Sequence, residues 1–487
     1  MLNFLKNEMD MTTGNLLKKI LIFSIPLFLT TILQLLYTSA DLIVIAQFRG
    51  YNSMNAVGST GSLVNLIVNL FLGLSTGANV TIAQAIGAKN KEKSLKLAHN
   101  AILLSIISGF VVGIIGVFFC GYFLELMGTP TNVIAKATTY LTIYFIGAPF
   151  LMIFNFGASI LRAIGDTVKP LIFLMISGFT NVGLNFVFVL GLNMDVEGVA
   201  YATIISEAVS AILVIWALMR KKDDSFVKLS LKSLKFSLTE VKDIIRVGLP
   251  SGLQNSIFSI SNVLISSSIN SFGEIALGGN VAAGNIEGYV YAFIAAIPQT
   301  TIAFASQNYG AKNKENMKKI FKFSLIIVVL GTLITGGLVL LLNEPLLRIF
   351  CTEEAMIPFG RSRLFIICST YFLCGIMDVC AGYQRGLNQA ITPTVITFIC
   401  ATLLRVVFIV TLFKYVPFFH TLDWIMLLYP ITWALASLIH LLAIFKQQRK
   451  VFAQFDKYHQ DLVIQTNGNN ININSSIVYG ACSKDEK

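Results

Sequence analysis

The sequence predicts an all-α polytopic membrane protein of twelve transmembrane helices, arranged as two pseudo-symmetric six-helix bundles. Two observations lead to this prediction: the abundance and clustering of apolar residues, and a duplication of sequence motifs. Of the 487 residues, 55% are hydrophobic and only 13% are charged, and the mean hydropathy is +0.74. A water-soluble chain of this length needs more charge to cover its surface.

The apolar residues fall into stretches of about 20 residues or more, the length that a helix needs to cross the hydrocarbon core. These stretches do not alternate as barrel strands do, and backbone amides in the core must bond within their own segment, so helices are expected. We predict spans at residues 17–46, 55–82, 98–122, 137–160, 168–192, 197–219, 244–271, 278–305, 320–343, 362–384, 394–414 and 424–445.

A repeated motif divides the chain into two halves. Residues 84–92, QAIGAKNKE, return as QNYGAKNKE at residues 307–315, and the same offset of 223 relates Arg162 to Arg385. Each half contains six spans, so both enter the membrane in the same orientation, related by an axis along the membrane normal. We expect an N-terminal lobe (1–220), a cytoplasmic linker (221–243), a C-terminal lobe (244–450) and a disordered cytoplasmic tail (451–487).

The distribution of positive charge orients the chain. With a cytoplasmic amino terminus, 29 of the 36 Lys and Arg residues fall inside, six fall outside and Arg405 lies within a span. This asymmetry follows the positive-inside rule, places both termini in the cytoplasm and explains the net charge of +11 without nucleic acid. The residues assigned to the outside are Arg49, Lys136, Arg348, Arg361, Arg363 and Lys414.

Ionisable residues inside spans are the first candidates for function, because each costs about 2.5–3.5 kcal/mol at the bilayer centre. Asp41 lies late in the first span, and helical spacing places Gln34 and Tyr37 on its face. The corresponding positions of the second half, around Leu264 and Ile265, are aliphatic. An acid that the repeated fold itself needs should recur, so Asp41 is predicted to act in transport. The alternative is a structural acid near the outer interface.

Further polar side chains follow helical spacing on other spans. Small and amide residues also hold membrane helices together, and that structural role is the alternative for each of them. Asp378 stands two turns before Arg385, so a local acid–base pair is a further alternative there. The additional candidates for a cation-coupling or substrate site are Asn181, Asn185, Glu207, Asn255, Glu287 and Asp378.

Buried carboxyl groups suit an antiporter, because H⁺ or Na⁺ can compete with a cationic solute for the same acid. No GxxxxGK[ST] loop is present, so nucleotide drive is not expected. Of the four histidines only His440 lies well inside a span, since His99 stands at the start of the third one, so no metal site is expected. We expect no cofactor and no enzymatic activity. The expected partners are small-molecule substrates and the lipid bilayer, without nucleic acid, and the expected state is a monomer.

Seven motifs, in order, resemble those of the multidrug and toxic compound extrusion (MATE) family. The resemblance covers about residues 12–447 and rests on SADLIVIAQFRG, GANVTIAQAIGAKN, LRAIGDTVKP, GLNFVFVLGLNMDVEGVAYATIIS, GLPSGLQ, ASQNYGAKN and GYQRGLNQAITP. It implies two six-helix lobes around a V-shaped cavity. It also implies export of organic cations or drugs across the cell membrane in exchange for H⁺ or Na⁺.

The resemblance further implies roles for single residues. Asp41 matches the first-helix acid of the family, and Asn185 stands where some branches carry a second acid. No acid lies between Phe258 and Asn262, where another branch places a glutamate, while Asp378 lies in the tenth helix, where some members use an acid. The choice between H⁺ and Na⁺ therefore stays open, and we favour H⁺.

Two other functions remain as alternatives. A flippase for lipid-linked sugars from a related superfamily branch would have fourteen spans and a basic cavity, whereas this chain has twelve predicted spans and mainly acidic charges within them. A receptor or channel without transport is disfavoured by the paired repeat. Arg162, Arg385, Lys89 and Lys312 are assigned to cytoplasmic loops that maintain topology and gating.

Overall fold

The computed structural model describes residues 8–351 and 353–468, without the side chains of Leu231, Asn270 and residues 462–468. The regular structure within these residues is helical. The α-helices are α1 (Leu16–Arg49), α2 (Tyr51–Gly87), α3 (Lys91–Leu126), α4 (Thr131–Ile146), α5 (Ala148–Ala163), α6 (Val168–Asn185), α7 (Val196–Met219), α8 (Leu238–Asn270), α9 (Glu274–Gly310), α10 (Lys314–Leu341), α11 (Asn343–Phe350), α12 (Ile357–Gly386), α13 (Ile391–Thr397), α14 (Leu404–Phe408) and α15 (Leu422–Gly468).

The helices match the predicted spans in number and order. Among the described residues, ten helical segments are long and apolar enough to cross a membrane, and α4 with α5 forms an eleventh candidate that bends by 50°. The seventh predicted span corresponds to α8, which is not among these eleven candidates and is the twelfth span. Gln254, Asn255 and Asn262 make this helix more polar. The all-α fold of twelve spans in two six-helix bundles is thereby confirmed.

The largest difference from the predicted boundaries lies at the end of the chain. The helix α15 continues to Gly468, so residues 451–468, which the sequence assigned to a disordered tail, are helical. Val451 and Phe455 are buried in one cluster with Tyr383 and Ile444, and this packing extends the helix past the membrane span. The rest of the predicted tail, residues 469–487, lies outside the described residues.

The repeat is visible in the local helix geometry. The helix α6 continues as a π-helix over Phe186–Gly191, and the π-helix Ile409–Phe413 begins 223 residues after the first one. The second of these spans contains another π-helical segment, Phe398–Leu403. Segments of π-helix occur frequently at functional sites, and the first one follows directly after Asn185.

The two halves meet along α2 and α8, whose backbones approach through glycines. A Cβ atom at Gly73 would lie 2.0 Å from the backbone nitrogen of Gly252, and one at Gly77 would lie 2.2 Å from the carbonyl oxygen of Ile244. Only glycine allows such an approach between membrane helices. Nearer the start of α2, Asn65 and Asn69 line a cavity instead, so the two halves separate on that side of Gly73.

Candidate functional site

Asp41 lies among the amides of α6. The side-chain nitrogen of Asn185 donates a hydrogen bond of 2.6 Å to Asp41 Oδ1 and a second one of 3.2 Å to Asn181 Oδ1. Asn181 Nδ2 in turn donates to Thr203 Oγ1 of α7 at 3.5 Å. The structure therefore joins three of the predicted residues, Asp41, Asn181 and Asn185, into one hydrogen-bonded chain.

Tyr37 holds this arrangement in place. Its hydroxyl donates a 2.6 Å hydrogen bond to the carbonyl oxygen of Leu174 on α6. A Cβ atom at Gly178 would lie 1.8 Å from the Tyr37 ring, so the glycine makes room for that ring against α6. Because Asp41 is one helical turn beyond Tyr37, the contact holds the carboxyl group against α6 and Asn185.

Glu207 on α7 is the second acid of this lobe. It lies one helical turn after Thr203, on the face of α7 that meets Asn181. In the described parts of the chain, no lysine or arginine forms an ion pair within 4 Å with either acid. Two carboxyl groups that lack a basic partner in a low-dielectric region favour the binding of a proton or another cation. We call Asp41, Asn181, Asn185, Thr203 and Glu207 the N-lobe acid site.

One acceptor of the N-lobe acid site has no hydrogen-bond partner. Asn185 is fully buried, and its Oδ1 atom receives no hydrogen bond from any of the described residues. This oxygen belongs to the amide whose nitrogen binds Asp41, so a carboxylate and a free amide oxygen lie close together. Gln34 does not join this set, because its side chain is exposed on α1, two turns before Asp41.

A cavity of about 590 Å³ lies between α2 and the C-terminal half. It contains three further predicted residues: Asn255 on α8, Glu287 on α9 and Asp378 on α12. Amide and hydroxyl side chains of α2 and α8 line it, together with aromatic rings of α8, α9, α12 and α15. Other residues that line this C-lobe cavity include Asn65, Asn69, Phe258, Asn262, Tyr291, Arg363, Tyr371, Tyr429 and Trp433.

Glu287 is bound by an arginine that the sequence counts on the outer side of the membrane. Arg363 Nε and one terminal nitrogen each donate a 2.7 Å hydrogen bond to Glu287, one to each carboxylate oxygen, and Arg363 also donates to Asn280. The Glu287 side chain is 5% exposed and that of Arg363 is 13% exposed. Arg363, which the sequence counts on the outer side, lies in the second turn of α12, and its guanidinium group satisfies a carboxylate that would otherwise be buried alone.

Asp378 and Arg385 do not form the local pair that their spacing allowed. Asp378 accepts a 3.5 Å hydrogen bond from the hydroxyl group of Tyr291, and Arg385 donates a 2.8 Å hydrogen bond to Gln254 Oε1. No ion pair within 4 Å joins the acid to this arginine across the described residues. Arg162 and Arg385 were assigned to loops, but both lie in the last turn of a helix, α5 and α12 respectively.

Arg405 is a buried cation to which the sequence attached no role. Its side chain is fully buried, and its Nε atom donates a 3.0 Å hydrogen bond to the hydroxyl group of Thr432. The guanidinium carbon lies 4.5 Å from the ring centre of Tyr429 and 5.4 Å from that of Phe258, and both rings line the C-lobe cavity. Cation–π contacts thus take the place of an anionic partner. Residues 258, 405 and 429 belong to three helices, so no spacing along one helix could reveal this contact.

The chain matches the MatE family model twice, at residues 26–187 and again at residues 250–411. Among curated proteins, the probable multidrug resistance protein YoeA of Bacillus subtilis (strain 168) is 27% identical over 384 residues, which are 77% of this chain and 82% of the relative. The probable multidrug resistance protein NorM of Thermotoga maritima is 27% identical over 391 residues, 78% of this chain and 82% of the relative.

Solved structures show the same fold. A crystal structure of MATE in the bent conformation has a TM-score of 0.80 and 25% sequence identity, and the match covers 91% of this chain and 96% of that one. A MOP superfamily transporter from Pyrococcus furiosus, described as having a binding pocket of reverse polarity, has a TM-score of 0.82 with 24% identity over 92% of this chain and 98% of its own.

Proposed function

The chain belongs to the MatE family of multidrug efflux transporters, and we propose that it exchanges amphipathic, cationic small molecules for H⁺ or Na⁺ across the cell membrane. The observation that carries the proposal is the N-lobe acid site. Asp41 is bound to the amides of α6, these amides reach Thr203 one turn before Glu207 on α7, and no basic side chain pairs with either acid among the residues described. A site of this kind gains free energy when it takes up a cation, as a coupling site requires.

The oxygen atoms around Asp41 support either coupling ion. Na⁺ would be bound by the Asp41 carboxylate together with side-chain oxygens of Asn181, Asn185 and Thr203, and Asn185 Oδ1 has no other partner among the described residues. A proton would bind to the carboxyl group itself, which would then lose its attraction for a cationic solute. In both cases the coupling ion neutralises a negative charge that would otherwise attract a cationic solute to the protein.

The C-lobe cavity is proposed as the place where the substrate binds. Arg363 neutralises Glu287, which leaves Asp378 as the acid of this cavity without a basic partner in hydrogen-bond contact. The rings of Tyr291, Tyr371 and Trp433 supply flat apolar surface and can form cation–π contacts with an amphipathic cation. Asn255, exposed on α8, supplies a polar contact that can adapt to different solutes.

Alternating access of two lobes, residues 1–220 and 244–450, would connect the two sites. We propose that both termini are cytoplasmic, so the side on which α2 and α9 end is the cytoplasmic side. Asn65 and Asn69 line the cavity before the tight contact at Gly73, so the cavity would open to the outside in this conformation. Uptake of H⁺ or Na⁺ at Asp41 would release the substrate outside, and the loaded lobes would then rock inward and release the ion.

Transport in proteoliposomes tests this proposal. Uptake of a fluorescent organic cation would be measured under an imposed pH gradient, an imposed Na⁺ gradient, or neither, for the wild type and for Asp41→Asn. Asp423→Asn is the matched control, because Asp423 is an exposed acid on α15 whose side chain accepts a hydrogen bond from Ser362. We expect gradient-driven flux in the wild type and the control and none in Asp41→Asn. Flux that ignores both gradients would refute antiport, and full coupling in Asp41→Asn would remove Asp41 from the mechanism.

A further inference from the structure

The two copies of the repeated GAKNKE turn pack against each other across the interface between the halves. A Cβ atom at Gly87 would lie 1.9 Å from the carbonyl oxygen of Gln307, and one at Gly310 would lie 2.0 Å from the carbonyl oxygen of Gln84. Residues 84 and 307 are related by the repeat offset of 223, and so are residues 87 and 310. The contact is therefore pseudo-symmetric and excludes any side chain at either glycine.

The same glutamines form reciprocal hydrogen bonds across the interface. Gln307 Nε2 donates to the carbonyl oxygen of Ala163 at 2.7 Å, and Gln84 Nε2 donates to that of Gly386 at 3.4 Å. Ala163 ends α5 and Gly386 ends α12, and these two residues are again 223 apart. Each half thus donates one hydrogen bond to a helix end of the other half.

Residues 8–13 break this symmetry, because they cover only the Gln307 side. The backbone N–H of Met11 donates to Gln307 Oε1 at 3.3 Å, and Asn308 Nδ2 donates to the carbonyl oxygen of Met11 at 2.9 Å. Asn316 Nδ2 of α10 donates to the carbonyl oxygen of Thr12 at 2.6 Å. The side chain of Met11 is fully buried in a cluster with Phe304. The segment is therefore anchored on the C-terminal half.

The same segment also contacts the N-terminal half. Glu8 forms a 3.1 Å ion pair with Lys221, the first residue of the linker that directly follows this half, and the Lys221 side chain is only 10% exposed. A Cβ atom at Gly165, in the turn after α5, would lie 2.4 Å from the carbonyl oxygen of Met9. Six residues that precede the first membrane helix therefore contact both halves on the side where α2 and α9 end.

We propose that residues 8–13 form a latch that holds the cytoplasmic side of the transporter closed. For that side to open, Gln307 must separate from Ala163, and the latch must leave one half because it is held by both. Gln307 is a positioning residue for the latch. Its Oε1 accepts the hydrogen bond from Met11, and its Nε2 donates one to Ala163 of the opposite half. The latch rests on the proposed alternating access and on the proposed orientation.

Labelling of a cysteine in the closed interface tests the latch. Val80 is fully buried in a cluster with Val247 and Ile302, which joins α2 to α8 and α9. A Val80→Cys chain in inside-out vesicles would be exposed to a membrane-impermeant maleimide, with the chain lacking this substitution as background. Met11→Ser removes the anchor, and Asn316→Ala removes the hydrogen bond to Thr12. Thr13→Ala is the control, because the one hydrogen bond that the Thr13 hydroxyl donates among the described residues goes to Asp10, within the latch itself.

The labelling rate of Val80→Cys should rise about tenfold in Met11→Ser, because loss of one buried methionine shifts an open–closed equilibrium by about that factor. It should rise less in Asn316→Ala and stay unchanged in Thr13→Ala. If both latch variants label at the control rate while their thermal unfolding shows a folded protein, the latch is refuted. A misfolded Met11→Ser leaves Asn316→Ala as the test.

Labelling needs neither a gradient nor a substrate, so its outcome is separate from the transport assay. A wild type without coupled flux, but with a labelling rate that responds to Met11→Ser, would refute the antiport proposal and keep the latch. Coupled flux together with a labelling rate that does not respond to the latch variants would keep the antiport proposal and refute the latch. A latch variant that unfolds at a lower temperature without a change in labelling would mark residues 8–13 as a structural support only.

Discussion

The N-lobe acid site and the C-lobe cavity occupy different positions of one duplicated fold. At the repeat offset of 223, each polar residue of one site corresponds to a residue of a different type in the other half. Asn181, Asn185 and Glu207 correspond to Leu404, Phe408 and Pro430, while Glu287, Arg363 and Arg405 correspond to Val64, Tyr140 and Val182. The halves share a backbone but differ in charge: the acids lack basic partners in the first half, whereas Glu287 is paired in the second. We propose that the first half binds the coupling ion and that the second half mainly shapes the cavity.

The strongest test of this difference exchanges one acid of each half for its amide. Asp41→Asn should reduce gradient-driven flux to the level of empty liposomes, because the amide cannot take up a proton or supply a negative charge to Na⁺. Glu287→Gln should keep the coupling between gradient and flux, although less folded protein is expected. If both variants lose coupling equally, measured per folded molecule, then binding of the coupling ion is not confined to the first half.

The second test concerns stability, and here the larger effect is expected in the C-lobe cavity and the smaller one in the N-lobe acid site. Glu287→Gln leaves the Arg363 cation without its carboxylate, so it should lower the free energy of unfolding by about 3–5 kcal/mol, as for other broken buried ion pairs. The double variant Glu287→Gln with Arg363→Gln should recover much of that loss. Thermal unfolding in detergent measures both, and Asp41→Asn should be no less stable than the wild type. A double variant as unstable as the single one would argue against charge pairing as the reason.

A smaller effect is expected from the amide that binds Asp41. Asn185→Ala removes the donor to the Asp41 carboxylate and should shift the ion concentration for half-maximal transport by about tenfold, the equivalent of one charge-assisted hydrogen bond. Titration of flux against pH and against Na⁺ would show which ion is affected. Asn255→Ala, in the C-lobe cavity, should leave this concentration unchanged and alter the apparent affinity for substrate. If the ion concentration for half-maximal transport shifts in both variants, the two sites do not have separate roles.

The smallest expected effect lies at the rim of the N-terminal half, where Lys136 forms a 2.6 Å ion pair with Asp195. Partial burial acts to raise the pKa of Asp195, but hydrogen bonds from Lys136 and Ser53 and the charges of Lys136 and Arg49 hold this pKa below its ordinary value of 3.8. A lowered pKa stabilises the fold above pH 3.8, and this contribution disappears as the pH falls through the folded-state value.

Because Lys136 and Asp195 are both partly exposed, the change should be less than about 1 kcal/mol. Melting temperatures between pH 6 and pH 3 would be compared for the wild type and Asp195→Asn, and the variant should lose less stability on acidification. The corresponding rim of the second half has Phe418 at the position of Asp195, so it contributes no such dependence there. If the melting temperature of Asp195→Asn falls between pH 6 and pH 3 as much as that of the wild type, groups other than Asp195 cause the loss of stability.

Most of the fold could be predicted from the sequence, whereas the sites could be predicted only in part. Hydropathy sets the number and the place of the spans, since a helix needs a fixed apolar length to cross the bilayer. Asp41, Asn181 and Asn185 were found because each is polar within a span, but their mutual hydrogen bonds join α1 to α6 over 144 residues of sequence. The role of Gln34 stays a prediction, and so do the roles of the other candidate residues.

The sequence by itself determined the twelve spans, their division into two repeats and the asymmetry that singles out Asp41, because each follows from residue type and spacing along the chain. Tertiary structure decided which charges meet. The position of Arg363 at the start of a span gave it no partner, and only the packing of α9 against α12 brought it to Glu287. The latch of residues 8–13 was decided in the same way: its polar sequence carries no pattern, and only the folded interface shows that it contacts both halves.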